Sequence, residues 1–174
     1  MQVPAQSQGG DSPDAQPEHP HTPAPAVARL ALDSGAVRIG VARSAGALAF
    51  PVGAVVRGEG DVRQICALAQ EFDVAEVVIG IPVSLSGVEG ASAATAREFA
   101  AAVAAALPAS AVRLVDERLT TVQAAQQMRS AGKSAKQQKS VIDAAAATLL
   151  LQHVIDAEAA TGSAPGELLQ AGRS

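Results

Sequence analysis

Three acids stand where a globular chain has little reason to put them. Asp33 ends the apolar run Ala28-Arg29-Leu30-Ala31-Leu32 and is followed by Gly35, Arg38 and Gly40. Glu117 lies in Asp116-Glu117-Arg118, directly after the short apolar segment Val112 to Val115. Asp143 interrupts the apolar stretch Val141-Ile142-Asp143-Ala144-Ala145-Ala146-Ala147. A charge drawn into an apolar setting has to be paired or bound to a metal. Asp33 alone has an ordinary explanation, because Asp accepts local backbone hydrogen bonds in turns. The acids after Val115 suit the first turn of a helix, which accounts for one of them more easily than for two. Asp143 could pair with Lys139 at i, i+4. Taken together, three acids from distant parts of the chain point to a metal site. The ions that suit it are Mg²⁺ or Mn²⁺, hard cations that take carboxylate oxygens and water. Two such ions about 3.5–4 Å apart activate a water and stabilise the leaving oxygen in phosphodiester cleavage.

No other constellation competes. Cys66 is the single cysteine, which excludes an internal disulfide framework and a multi-cysteine zinc site. His19 and His21 lie in the N-terminal segment, and His153 lies far beyond Asp143. The net charge of −4 is misleading about partners. Residues 1–26 hold Asp11, Asp14 and Glu18 with no Lys or Arg, whereas the stretch Val27 to Asp156 is balanced. Within it, Arg113, Arg118, Arg129, Lys133, Lys136 and Lys139 face only Asp116, Glu117 and Asp143. Once those acids hold cations, this region attracts a phosphate backbone. Scattered lysines on a solvated surface are the plainer alternative. With no Trp or Tyr and only Phe50, Phe72 and Phe99, base stacking is a poor route to recognition.

The elements that must position these residues follow from periodicity. Val27–Asp33, Arg38–Arg43 and Ala47–Val55 read as three strands in a meander, with Pro51 placing the third at an edge or bulge. Asp61–Phe72 and Ala91–Leu107 have helical spacing, and Ala75–Ile81 and Val112–Val115 read as strands. Thr120–Ala131 reads as a helix opened by a Thr120/Gln123 capping box. Gly132–Gln138 reads as a basic loop, and Lys139 to about Asp156 as the last helix. The order βββαβαβα predicts an α/β chain with a mixed five-stranded sheet flanked by helices, the order of the ribonuclease H-like fold. Three regions are expected: a disordered Pro-rich tail over 1–26, a nuclease domain over 27–156, and a flexible tail over 157–174. The first lacks the basic start and apolar stretch of a signal peptide. No apolar run has membrane-spanning length, so a cytoplasmic protein is expected.

Four blocks in order resemble the YqgF (RuvX-type) family. They are Asp33-x-Gly35-x-x-Arg38-Ile39-Gly40-Val41-Ala42, Val78-Ile79-Gly80-Ile81-Pro82 with Gly87, Asp116-Glu117-Arg118-Leu119-Thr120-Thr121, and Ile142-Asp143 before an Ala-rich helix. The resemblance spans roughly Leu30 to Asp156. It implies a ribonuclease H-like fold and metal-dependent phosphodiester hydrolysis that trims the 5′ end of pre-16S rRNA in the pre-ribosome. It also implies kinship with Holliday junction resolvases, which act on branched DNA. The family's acidic site falls on Asp33, Glu117 and Asp143, as catalytic residues and metal ligands. Arg38, Ser84, Arg118, Lys133, Lys136 and Lys139 are the candidate substrate contacts. The chain departs from the family's pattern at Val83-Ser84-Leu85-Ser86-Gly87, which lacks the usual Asn or acid, and at Ser44-Ala45, where Ser-Asp is usual.

The ribonuclease H order also carries a geometric demand. Glu117 would leave a strand one further out than the neighbour of the first strand and must reach inward, or Asp116 takes its role. Two other readings stay open: a non-catalytic ribosome-assembly factor binding rRNA through Arg118, Lys133, Lys136 and Lys139, and an actin-like nucleotide site at the Asp-x-Gly turn. The chain is too short for the two lobes of the latter. A monomer and a homodimer are equally compatible with the sequence.

Overall fold

The computed structural model describes the backbone of residues 26–84, 86–119 and 136–169, and the side chains of these except 119 and 136–143. The Pro-rich segment 1–25, the helix expected over 120–131 and Lys133 lie outside the described residues.

Where the sequence is continuously apolar it forms central strands, because both faces of such a strand must be covered. These are β1 (Arg29–Ser34) and β4 (Glu76–Ile81). Every residue of β4 is buried. Around them lie β2 (Arg38–Ala45), β3 (Leu48–Val56) and β5 (Ala111–Asp116). A short β6 (Glu167–Leu169) completes a mixed sheet of order β3-β2-β1-β4-β5-β6. Strands β1, β4 and β5 run parallel, and β2, β3 and β6 pair antiparallel. The five-stranded expectation is therefore one strand short. β6 pairs Val112–Leu114 of β5 from within the segment expected to be flexible.

On β3 the register slips opposite Val41 and Ala42, which pair Gly53 and Pro51. The bulge accommodates a proline that cannot donate to a ladder, and β3 is an edge strand as Pro51 demands.

Two apolar layers sandwich the sheet. Helices α1 (Asp61–Glu71) and α2 (Ala91–Ala106) cover one face through Ile65, Ala69, Phe99 and Val103, against Leu30, Leu32, Val77 and Ile79. The other face belongs to α3 (Lys136–Thr161). Its Ala146, Ala147, Leu150, Leu151 and Val154 pack on Ala31, Ala42, Val78 and Val115. Alanines on both sides let the helix lie close to the sheet. This helix starts at Lys136 and ends at Thr161, longer at both ends than the expected Lys139 to Asp156.

At the amino-terminal edge of the parallel strands sits a charge cluster. Arg29 donates from Nε to Glu76 (2.5 Å) and makes a fork of two bonds, 2.7 and 3.0 Å, to Glu158 of α3. Arg113 donates from Nε to the other Glu76 oxygen at 2.7 Å. Arg29 and Glu76 are almost wholly buried. Two arginines and two glutamates balance, and every strand of the parallel core contributes. The contact with Arg29 places the C-terminal part of α3 beside the start of β1, so its N-terminal half runs toward the opposite, carboxyl edge.

Removing one member of a buried pair leaves a charge without its partner, so Arg29→Ala is expected to cost about 3–5 kcal/mol in chemical denaturation. The Arg29 hydrogen bond holds the Glu158 carboxyl below its ordinary range, against the opposing effect of burial. A lowered folded-state value contributes stability that is present above the unfolded carboxyl value, about 4.3, and is lost as pH falls below it. Glu158→Gln should therefore flatten the loss of stability below about pH 4, measured as the denaturation midpoint against pH.

Candidate active site

Strand alternation decides which acids meet. Leu30 and Leu32 point to the α1/α2 layer, and Ala31 to α3. Asp33, two residues on from Ala31, therefore shares the α3 face, and it is 2% exposed. Its partner across the β1–β2 ladder is Gly40. On its other side the ladder ends with Leu32 paired to Ile79, which leaves Gly80 level with Asp33. The acid thus stands between two glycines.

Glu117 opens a short 3₁₀ turn (Glu117–Leu119) directly after β5. In phase with Val115, it too takes the α3 face, and it is 3% exposed. Its side chain lies across β4: a Cβ at position 80 would sit 2.6 Å from Glu117 Oε1, 3.0 Å from Cγ and 3.2 Å from Cδ. The inward reach demanded of Glu117 is thus made over Gly80, toward Asp33. Gly35 supplies the other close approach, since a Cβ there would lie 2.6 Å from the Arg38 carbonyl oxygen. That contact is why the turn after Asp33 carries a glycine.

Asp116 has a different task. Its carboxylate accepts the Arg118 backbone N–H (2.9 Å) and bonds to Nε and Nη2 of the guanidinium, the shortest at 2.6 Å. The Arg118 hydrogen bond holds its carboxyl below the ordinary range. Arg118 also donates from Nη1 to the Ser84 carbonyl at 3.0 Å, tying the loop after β4 to this turn. Within that loop the Ser84 hydroxyl bonds Ser86, and donates to the Val88 carbonyl while accepting its N–H. Val83 bridges Glu89. Arg97 of α2 then grips Glu89 and Glu167.

Arg38 opens β2 at the same edge, half-buried. Arg57 also serves this edge: it donates to Ser34 Oγ at 2.7 Å and lies over the Phe99 ring at 4.3 Å. It braces the residue after Asp33 from a glycine-rich turn, and no local spacing announces it. Asp143 lies in α3 one turn before Ala146 and Ala147. Its side chain, with those of Lys136 and Lys139, lies outside the described residues.

The described donors suit a hard cation. Asp33 and Glu117 place carboxylate oxygens on one face, with Glu117 lying over Gly80. Among the described residues no group of three or more His, Cys, Asp or Glu gathers as a metal site, and the third expected ligand is Asp143. Filling the space over β4 tests the geometry. Gly80→Ala is expected to cost about 1–3 kcal/mol by crowding Glu117, and well under about 1 kcal/mol in a Glu117→Ala background. Equal costs in the two backgrounds, measured by denaturation, would sink this account of Gly80.

Comparison with known proteins extends the picture. The family model described as RuvX, Holliday junction resolvase, matches residues 27–157, from the approach to β1 through most of α3. A protein of Nocardioides sp. (strain ATCC BAA-499 / JS614), named "Putative pre-16S rRNA nuclease", is 51% identical over 149 residues, covering 82% of this chain and 96% of that protein. A protein of the same name from Thermobifida fusca (strain YX) is 50% identical over 151 residues, covering 82% and 95%. The solved structure of T. thermophilus RuvC in complex with Holliday junction substrate superposes with a TM-score of 0.52 at 17% identity, covering 82% of this chain and all of that one. At such identity the likeness concerns the fold, which is the ribonuclease H-like one. With the match spanning both described acids and the whole parallel core, the chain belongs to the RuvX family.

Proposed function

We propose that this chain is a metal-dependent nuclease that hydrolyses a phosphodiester bond of precursor 16S rRNA in the cytoplasm. The observation that carries the reading is the pair of buried carboxylates, Asp33 and Glu117, sharing one face at the carboxyl edge of β1 and β5. Ligands of open α/β sheets gather at that edge. The names of half-identical relatives supply the substrate.

Asp33, Glu117 and Asp143 would hold Mg²⁺ or Mn²⁺, which supplies an activated water and charge stabilisation for the leaving oxygen. The protein's part is to keep the carboxylates fixed. Gly80 leaves Glu117 room, Arg57 braces the strand end beside Asp33, and α3 covers the face. Arg38, Lys133, Lys136 and Lys139 supply positive charge for the phosphate backbone. The few aromatic residues leave shape and backbone, rather than stacked bases, as the basis of recognition. A second reading, cleavage of branched DNA, is favoured by the description of the family model.

A cleavage assay on precursor rRNA, four-way junction DNA and single strands, with Mg²⁺, Mn²⁺ or chelator, decides between them. Cleavage of precursor rRNA that requires the cation is expected. Asp33→Asn should lower it by more than the roughly 10–100-fold typical of losing a group that only supports a metal ligand, with the denaturation midpoint retained. An Asp33→Asn protein as active as wild type would overturn the reading.

A further inference from the structure

Glu117 is flanked by two residues that hold each other. The Asp116 carboxylate takes a backbone bond from Arg118 and a fork of guanidinium bonds, with Glu117 between them turned the other way. We propose that Asp116 and Arg118 are a positioning pair: they fix the turn that sends Glu117 inward over Gly80, and they anchor the loop after β4 through the Ser84 carbonyl, so that Arg118 serves the site without binding substrate. The inference rests on the nuclease reading above.

Three observations support it. The turn begins where the β5 ladder stops: Ile81 pairs with Asp116, so Glu117 is the first residue without strand pairing to set its direction. The Asp116 acceptor of the Arg118 N–H replaces that constraint. Arg118 meets Asp116 as a planar fork while its Nη1 reaches Ser84, a geometry a lysine cannot reproduce. Finally, both partners are partly exposed, at 32% and 22% of their side chains. Such pairs contribute little to folding, which suits a local guide better than a structural staple. The loop's far end has a separate anchor in Arg97 and Glu89.

The test compares Asp116→Asn, Arg118→Gln, Arg118→Lys and the Asp116→Asn/Arg118→Gln double variant in the full chain. Each single variant should lower kcat by about 10-fold or more with KM within about twofold, the double being no worse than the weaker single. The salt dependence of kcat/KM should match wild type, and Arg118→Lys should fail to rescue. Mn²⁺ titration by calorimetry without nucleic acid gives an independent readout. Removing a positive charge ought to tighten cation binding by Coulomb attraction alone, so weaker Mn²⁺ binding by Arg118→Gln marks lost positioning of Glu117. Three results would overturn the proposal: wild-type kcat in both single variants, tighter Mn²⁺ binding by Arg118→Gln, or a raised KM with a flatter salt dependence that Arg118→Lys restores. The last would make Arg118 a phosphate contact. A wild-type protein without cation-dependent cleavage would instead defeat the nuclease reading, and the Mn²⁺ titration would still judge the pair.

Discussion

Two acids on strands that are not neighbours can share a site only if the strand between them offers no side chain at that level. β4 meets this condition at Gly80, and much of the carboxyl edge follows from it. Glu117 lies flat across the gap, so β5 must end one residue before it and a turn must follow at once. Asp33 has Gly40 as its partner on the other side. Deeper along the same face, Ala31 and Ala42 meet Ala146 and Ala147, so the helix that seals the face can come close. Small residues shape this face as much as acids do.

Charged side chains are buried at both ends of the parallel strands. At the amino edge, Arg29, Glu76, Arg113 and Glu158 neutralise one another across three strands and α3. At the carboxyl edge, the buried carboxylates of Asp33 and Glu117 share the face that α3 covers.

Much of this was written plainly in the sequence. An acid at the end of an apolar run placed Asp33 at a strand terminus, and the alternation of apolar periods predicted the order of strands and helices along the chain through β5. Other features were not legible, for physical reasons. β6 is three residues that pair by backbone, and Glu-Leu-Leu carries no periodicity to betray it. The choice between Asp116 and Glu117 could not be made from a strand pattern, because the pattern ends between them. Arg29 and Glu158 are 129 positions apart, and only the folded sheet brings them together. Gly80 was noticeable as a strand glycine, but the need for it came from a side chain in the turn after another strand.

The bulge at Pro51 has a bearing on how this chain survives at high concentration. One flank of the sheet is closed by β6, while the other is β3, which carries the exposed Leu48 and Phe50. A straight, apolar edge of that kind is a template for strand-to-strand aggregation. A proline without an N–H, set in a kinked stretch, interrupts the row of donors that an incoming strand would need. The irregularity in the register therefore acts as a guard, limiting runaway sheet growth in a chain whose composition is 48% hydrophobic.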